Sequence, residues 1–293
     1  MDVPFAWVDV FTTTPLAGNP LALVPDADAL DAATTAAIAR ELNQSETTFL
    51  VRPEDPGADQ RLRSFTPGGV EVFGAGHNAL GAWVWLALSG RLDPGRDAFV
   101  QQIGPDLLTV RVSRRAGGGV EVSMEQSAPR FLREVTDRPA LADALGLETG
   151  ALAARPAEVA STGAEHLLVP LRDGAGLDAA QPDTARLRAL LADVGAEGCY
   201  VYTLAVDPAS GLDATARFFN PTVGIAEDPA TGTAAGPLAA VLVRDGIVRD
   251  PAAVVVEQGR RLGRPSRIRL AVDGSRVTIT GTGVVAAEGV LHL

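Results

Sequence analysis

The sequence predicts an α+β protein of two similar lobes, each a curved or barrel-like β-sheet wrapped around a central apolar helix. Three observations carry that expectation. The chain has 293 residues, about twice a typical single domain, so two lobes are the natural division. Two helical segments, 77–88 and 233–243, are apolar on every side rather than along one stripe, and such a helix must be buried all round. In strand-rich surroundings, a sheet wrapped around the helix provides that burial. Finally, short motifs recur in the same order in both halves, the mark of an internal duplication.

The elements follow from local pattern. Strand-like runs at 5–11, 21–24, 47–51 and 61–65 are mostly bounded by Pro, Gly or Asp, as half-buried strands are. Between the second and third, 31–42 reads as a helix with Asp31 as its N-cap. The apolar helix at 77–88 comes next, followed by strands at 99–103, 107–112 and 120–124. The second half repeats the plan with strand-like 166–170, strands at 198–206 and 214–219, the apolar helix at 233–243, and strands at 254–256, 268–272 and 277–279.

Residue echoes support the duplication. Arg63-Ser64-Phe65-Thr66-Pro67 precedes the first apolar helix as Arg217-Phe218-Phe219-Asn220-Pro221 precedes the second, and Glu125-Gln126 is echoed by Glu257-Gln258. The Pro- and Ala-rich stretch 129–156 is the expected place for the lobe boundary. The division is therefore an N-terminal lobe over 1–130 and a C-terminal lobe over 131–282, with the C-terminal strand 283–293 returning to the first.

Composition narrows the partners. The formal net charge is −11, from 36 acidic against 25 basic residues, which repels nucleic acid and anionic membranes and leaves small molecules as the expected partners. Cys199 is the single cysteine, so an internal disulfide, a thiolate metal site and a two-cysteine racemase mechanism are all excluded. A cytoplasmic setting fits. The first residues lack a basic flank and an apolar core, so no secretory signal is expected. The longest apolar run, 79–88, is about half the roughly 20 residues a membrane-crossing helix needs.

Candidate chemistry gathers at the starts of the two apolar helices. Gly76 and Gly232 permit a tight turn there, and the amides that follow lack intrahelical acceptors, giving a positive end for an anion such as a carboxylate. Two ordinary helix N-termini, with Thr233 as an N-cap and Pro237 near the first turn, explain the same pattern. Under a pseudo-twofold, both starts would meet at one cleft between the lobes, where small-molecule sites are favoured. His77 follows Gly76 at such a start, where the helix end disfavours the imidazolium; a structural cap and a functional group fit equally. His166 and His292 have no neighbouring ligand pattern, and no metal site is expected. Glu46 stands where a polar loop enters an apolar strand, so burial could tune it for proton transfer, although a solvated strand-edge Glu has the same signature. Asp228, before Pro229, reads as a turn initiator.

Two rival motifs are present only in part. Gly74-Ala75-Gly76-His77-Asn78-Ala79 matches the G-x-G-x-x-A dinucleotide fingerprint, but no opening βαβ unit precedes it. A serine-hydrolase elbow, G-x-S-x-G, does not occur.

Together, 8–11 with 17–20, Asn43-Gln44-Ser45-Glu46-Thr47-Thr48-Phe49, 63–67 with Gly76-His77, 161–163 with 166–170, 224–236, and 258–259 with 263–266 resemble the PhzF family of phenazine-biosynthesis isomerases, in the family's order and over nearly the whole chain. The resemblance implies a diaminopimelate-epimerase-like fold with the site between two related lobes, a homodimer, and no metal or organic cofactor. It places the family's acid/base on Glu46 and its substrate-binding groups on His77, Asp228 and Thr233, with the helix-start amides near Gly76 and Gly232 as candidate carboxylate binders. The family's founding reaction is a proton shift: a Glu removes a proton from C3 of trans-2,3-dihydro-3-hydroxyanthranilate, a proton returns at C1, and the enol tautomerises to a ketone.

The sequence departs from the family pattern at Thr233, where many members have Ser, at Asn78, where many have Pro, and at Gln44, where an apolar residue is common. Asn78 would add an amide beside the site and could select another substrate. The expected function is thus a cofactor-independent isomerase of a small carboxylate-bearing metabolite. The alternatives are an NAD(P)-dependent oxidoreductase using the 74–79 turn, or a non-catalytic carboxylate-binding protein of the same fold.

Overall fold

The computed structural model describes residues 1–115 and 117–293. The chain divides into two compact units, 1–125 with 280–293, and 126–279. Unit 1 contains β1 (Asp2–Val10), β2 (Asn19–Val24), α1 (Ala32–Leu42), β3 (Thr47–Val51), β4 (Gln60–Phe65), the short β5 (Glu71–Val72), α2 (His77–Leu88), β6 (Ala98–Ile103), β7 (Asp106–Arg114) and β8 (Val120–Glu125). Unit 2 contains β9 (Arg130–Val135), α3 (Arg138–Leu145), β10 (Ala157–Ser161), β11 (Glu165–Pro170), α4 (Gly174–Ala179), α5 (Thr184–Val194), β12 (Gly198–Thr203), β13 (Ala214–Asn220), β14 (Ile225–Asp228), α6 (Gly232–Arg244), β15 (Ala252–Gln258) and β16 (Ser266–Asp273). The long β17 (Arg276–His292) starts in unit 2 and continues into unit 1.

In unit 1 the strands form a closed ring. β1 pairs antiparallel with β2, β2 parallel with β3, β3 antiparallel with β4, and β4 parallel with β6. The ring continues through antiparallel β6–β7 and β7–β8, then β8–β17, and closes where β17 pairs antiparallel with β1. α2 packs on β1, β2, β3, β7 and β8. Every residue from His77 to Leu86 is buried, as a helix without a polar face requires. Burying each of its large side chains, Leu80, Trp83 and Leu86 among them, contributes roughly 1.5–3 kcal/mol. On the outside, α1 begins where Asp31 accepts a hydrogen bond from the Thr34 amide at 2.8 Å, and its Ile38 and Ala39 meet Val24, Phe49 and Phe65.

Unit 2 repeats the order. Antiparallel β10–β11, parallel β11–β12, antiparallel β12–β13, parallel β13–β15 and antiparallel β15–β16 match the run from β1 to β7. β14 lies antiparallel on β13 as β5 does on β4. α6 packs on β10, β11, β15 and β16, and ten of its residues are buried. A second core joins α3 and α5 to the sheet through Leu141, Leu145, Leu187 and Leu191, and holds Cys199.

Three sequence expectations need correction. α6 starts at Gly232 with Thr231 in the cap position, so Thr233 is not the N-cap. Pro237 is the sixth helical residue, past the free first turn, and removes the donor that would meet the Thr233 carbonyl. The Glu-Gln pairs are not counterparts, because Glu257-Gln258 ends β15, whose partner in the repeat is β6, whereas Glu125-Gln126 follows along β8. The Pro- and Ala-rich stretch 129–156 carries β9 and α3.

Candidate active site

In unit 1, Glu46 lies between the left-handed Asn43 that ends α1 and the first residue of β3. Its side chain is 25% exposed, with Oε2 buried. His77, the first residue of α2, places Nδ1 at 3.8 Å from that oxygen, a contact beyond hydrogen-bond range. Burial pushes the His77 pKa down to about 4, so the ring is neutral near pH 7. The direction matches the sequence expectation, but its main cause is desolvation rather than the helix end.

A polar network shapes the turn that presents His77. Thr48 and Ser64 hydroxyls meet at 2.9 Å across β3 and β4. The Asn78 amide donates to Ser64 Oγ at 3.1 Å and to the Gly74 carbonyl at 2.9 Å, and its Oδ1 accepts from the Gly76 amide at 2.7 Å. Asn78 is buried, and both ends of its side chain are engaged in the turn. The amide that the sequence reading placed beside the site thus holds the 74–76 turn closed. Gly76 N–H is thus engaged, and the first intrahelical bond runs from Leu80 N–H to the Gly76 carbonyl, which leaves the His77, Asn78 and Ala79 amides ahead of the helical ladder.

In unit 2, Asp228 ends β14 opposite Phe218 and is buried. Thr231 donates its hydroxyl to Asp228 Oδ2. Gln258 binds the same turn three times: Nε2 donates to the Asp228 carbonyl at 2.7 Å and to Thr231 Oγ1 at 3.1 Å, and Oε1 accepts from the Thr231 amide at 3.1 Å. Gln126 Nε2 donates to the Gly232 carbonyl at 3.0 Å and its Oε1 accepts from Thr162 at 3.0 Å. A Cβ at Gly236 would stand 1.8 Å from Gln126 Oε1, so any larger residue there would displace the Gln126 amide. The Tyr200 hydroxyl is buried, and burial together with the Asp228 charge pushes its pKa up. Thr233 Oγ1 lies 3.1 Å from Nε2 of His166.

The residues singled out by sequence thus fall into two groups. Glu46, Gly76 and His77 come together in unit 1, and Asp228, Gly232 and Thr233 in unit 2. His166, for which the sequence showed no ligand pattern, is a direct neighbour of Thr233; His292 pairs with exposed Asp2. Sequence reasoning also missed Thr231, Gln126, Gln258 and Tyr200. The two glutamines were visible as Glu-Gln pairs, but the helix turn they hold was not. Among the described residues, no cluster of three metal-ligating side chains occurs, and no described helix is long and apolar enough to cross a membrane. The 74–79 turn follows a two-residue strand antiparallel to β4, not the parallel βαβ unit that the dinucleotide fingerprint needs.

Comparison with known proteins matches residues 8–289 to a family described as phenazine biosynthesis-like protein, PhzC-PhzF. A Pseudomonas aeruginosa protein named trans-2,3-dihydro-3-hydroxyanthranilate isomerase is 37% identical over 98% of both chains. An Escherichia coli protein named as an uncharacterized isomerase, YddE, is 34% identical over 95% of this chain and 94% of its own. Among solved structures, a PhzF-family protein of Bacillus anthracis superposes over 100% of both chains with a TM-score of 0.92 and 26% identity. A hydroxyproline epimerase of Agrobacterium vitis, at 14% identity and a TM-score of 0.67 over 99% of this chain and 91% of its own, shares the fold. The chain belongs to the PhzC-PhzF family of phenazine-biosynthesis-like proteins.

Proposed function

We propose that this protein is an isomerase that moves a proton on a small carboxylate-bearing metabolite, with Glu46 as the acid/base. The observation that carries the reading is the Glu46 carboxyl, with Oε2 buried beside a neutral His77, in a chain 37% identical to a named isomerase. A carboxylate half-withdrawn from water can take a proton from carbon and hold it until it is returned elsewhere on the same molecule. A neutral His77 does not compete as an acid, because at about 4 its pKa lies far below neutrality. It serves instead as a polar contact for substrate.

On the substrate named for the Pseudomonas aeruginosa relative, the C3–H bond breaks, Glu46 takes the proton, the double bonds shift, and a proton returns at C1. The resulting enol becomes the ketone. Atoms and electrons balance without an oxidant. Asp228, held by Thr231 and Gln258, is suited to accept hydrogen bonds from an amino or hydroxyl group. The Thr233 hydroxyl and the first amides of α6 are suited to a carboxylate. The family resemblance adds a homodimer, to be checked by light scattering, and a cytoplasmic setting.

The test is turnover of trans-2,3-dihydro-3-hydroxyanthranilate and a panel of amino and hydroxy acids by wild type and Glu46→Gln. The reading expects conversion by wild type alone, with matching circular dichroism. Undiminished conversion by Glu46→Gln would remove Glu46 from the mechanism.

A further inference from the structure

His166 lies in β11 and has no part in the mechanism above. Its imidazole is buried, and it stands edge-on to the Phe218 ring with centroids 5.0 Å apart. Nε2 is 3.1 Å from Thr233 Oγ1. Nδ1 is buried and has no hydrogen-bond partner among the described residues. Burial holds the ring neutral, with its pKa pushed down to about 3, so a single proton sits on one of the two nitrogens.

The two placements are not equivalent. A proton on Nδ1 would leave a buried N–H without an acceptor, the rarer and costlier kind of orphan, and Thr233 would have to spend its one O–H on Nε2. A proton on Nε2 makes that nitrogen the donor and leaves Nδ1 as a bare, buried lone pair. Thr233 Oγ1 then accepts from His166, and its own proton is left to be donated to another acceptor. The Gly232 and Thr233 amides precede the first intrahelical bonds of α6, which run from Ala234 and Ala235 to the Thr231 carbonyl.

We propose that His166 is a positioning residue whose Nε2–H donates to Thr233 Oγ1 and thereby commits the Thr233 hydroxyl to donating a hydrogen bond to an anionic oxygen of the substrate. The proposal rests on the reading of Thr233 as a substrate contact. It gives the site a preference for a carboxylate over its ester or amide, because a hydroxyl fixed as a donor is best met by a charged acceptor.

Two readouts on the full-length protein test it. Long-range proton–nitrogen correlation spectra of histidine-labelled protein report the tautomer directly, with His166 identified by loss of its signals in His166→Gln. The expected pattern is a protonated Nε2 and an unprotonated Nδ1, unchanged from pH 8 to pH 5; an Nδ1–H tautomer or a cation would overturn the proposal. The second readout is calorimetric binding of 3-hydroxyanthranilate and its methyl ester. His166→Leu is expected to weaken binding of the acid about tenfold, the cost of losing one hydrogen bond to a charged group. His166→Gln, which keeps an N–H near the place of Nε2, should restore most of it, and the ester should bind all three proteins alike. Equal binding of the acid by wild type and His166→Leu, or no rescue by Gln, would also overturn it. Absence of binding by wild type would instead overturn Thr233 as a substrate contact, and the two failures are separable because the tautomer readout needs no ligand.

Discussion

Unit 1 and unit 2 carry the same strand order and the same Arg, Phe and Glu on the strands that precede their inner helices, yet they differ at the positions paired with the proposed acid/base. Arg63 grips Glu71 with two hydrogen bonds and lies 5.0 Å from the Phe65 ring; Arg217 grips Glu227 likewise, 4.9 Å from Phe219. With these aligned, Thr47 opposite Phe65 matches Cys199 opposite Phe219. One residue upstream, Glu46 in unit 1 therefore corresponds to Gly198 in unit 2. Ser64, which joins the polar network under His77, corresponds to Phe218, whose ring fills the space at Gly198 so closely that a Cβ there would lie 2.3 Å from it. The histidines are exchanged as well: unit 1 brings His77 from the helix, whereas unit 2 brings His166 from a strand to meet Thr233 on the helix. Of the two matching frames, only one carries a carboxyl at this address.

The sharpest break in that comparison is Glu46→Gln, which should lower turnover by about 10²–10⁴-fold while thermal unfolding stays unchanged; no other substitution at the paired positions should match it. The paired arginines come next. Arg217 is 9% exposed and its Glu227 partner 11%, and it also donates to the Leu177 and Ala180 carbonyls. Arg63 and Glu71 are 34% and 26% exposed. Arg217→Ala should therefore cost about 3–5 kcal/mol of stability by stranding a buried carboxylate, and Arg63→Ala about 1 kcal/mol or less. Denaturant titration of both variants measures the gap, and equal losses would mean that the two frames are not held differently.

Acid should act on both histidines in the same sense. His77 and His166 have pKa values near 4 and 3 when folded against about 6.5 unfolded, so the unfolded chain binds more protons below that value. Their stabilising contribution is full above pH 6.5 and is lost as pH falls toward 4, by roughly 2–4 kcal/mol for each ring. A stability–pH series should show this slope, and His166→Phe should flatten about half of it. Gly198→Ala should cost about 1–3 kcal/mol from overpacking against Phe218, partly relieved when Phe218→Leu is added.

The central helices were legible because twelve residues such as 77–88 without a polar face admit one environment, and α2 has the expected bounds. Asp31 was legible as a cap for an equally local reason. β9 was not: five of its six residues are exposed, so no alternation marks it. Glu46 came from the resemblance, since spacing left a solvated strand-edge Glu open. His166 stayed hidden because its partner Thr233 is remote in sequence and joined only by the fold. The Glu-Gln echo misled because dipeptide order carries no strand register, and register alone separates β8 from β15.

The most direct test of the account is solvent deuterium incorporation into trans-2,3-dihydro-3-hydroxyanthranilate and the acid panel, followed by mass spectrometry in heavy water with wild type and Glu46→Gln. Incorporation or conversion with deuterium gain by wild type and none by Glu46→Gln is the predicted result; equal incorporation by both proteins, or none by wild type across the panel, would contradict a proton-transfer isomerase built on Glu46.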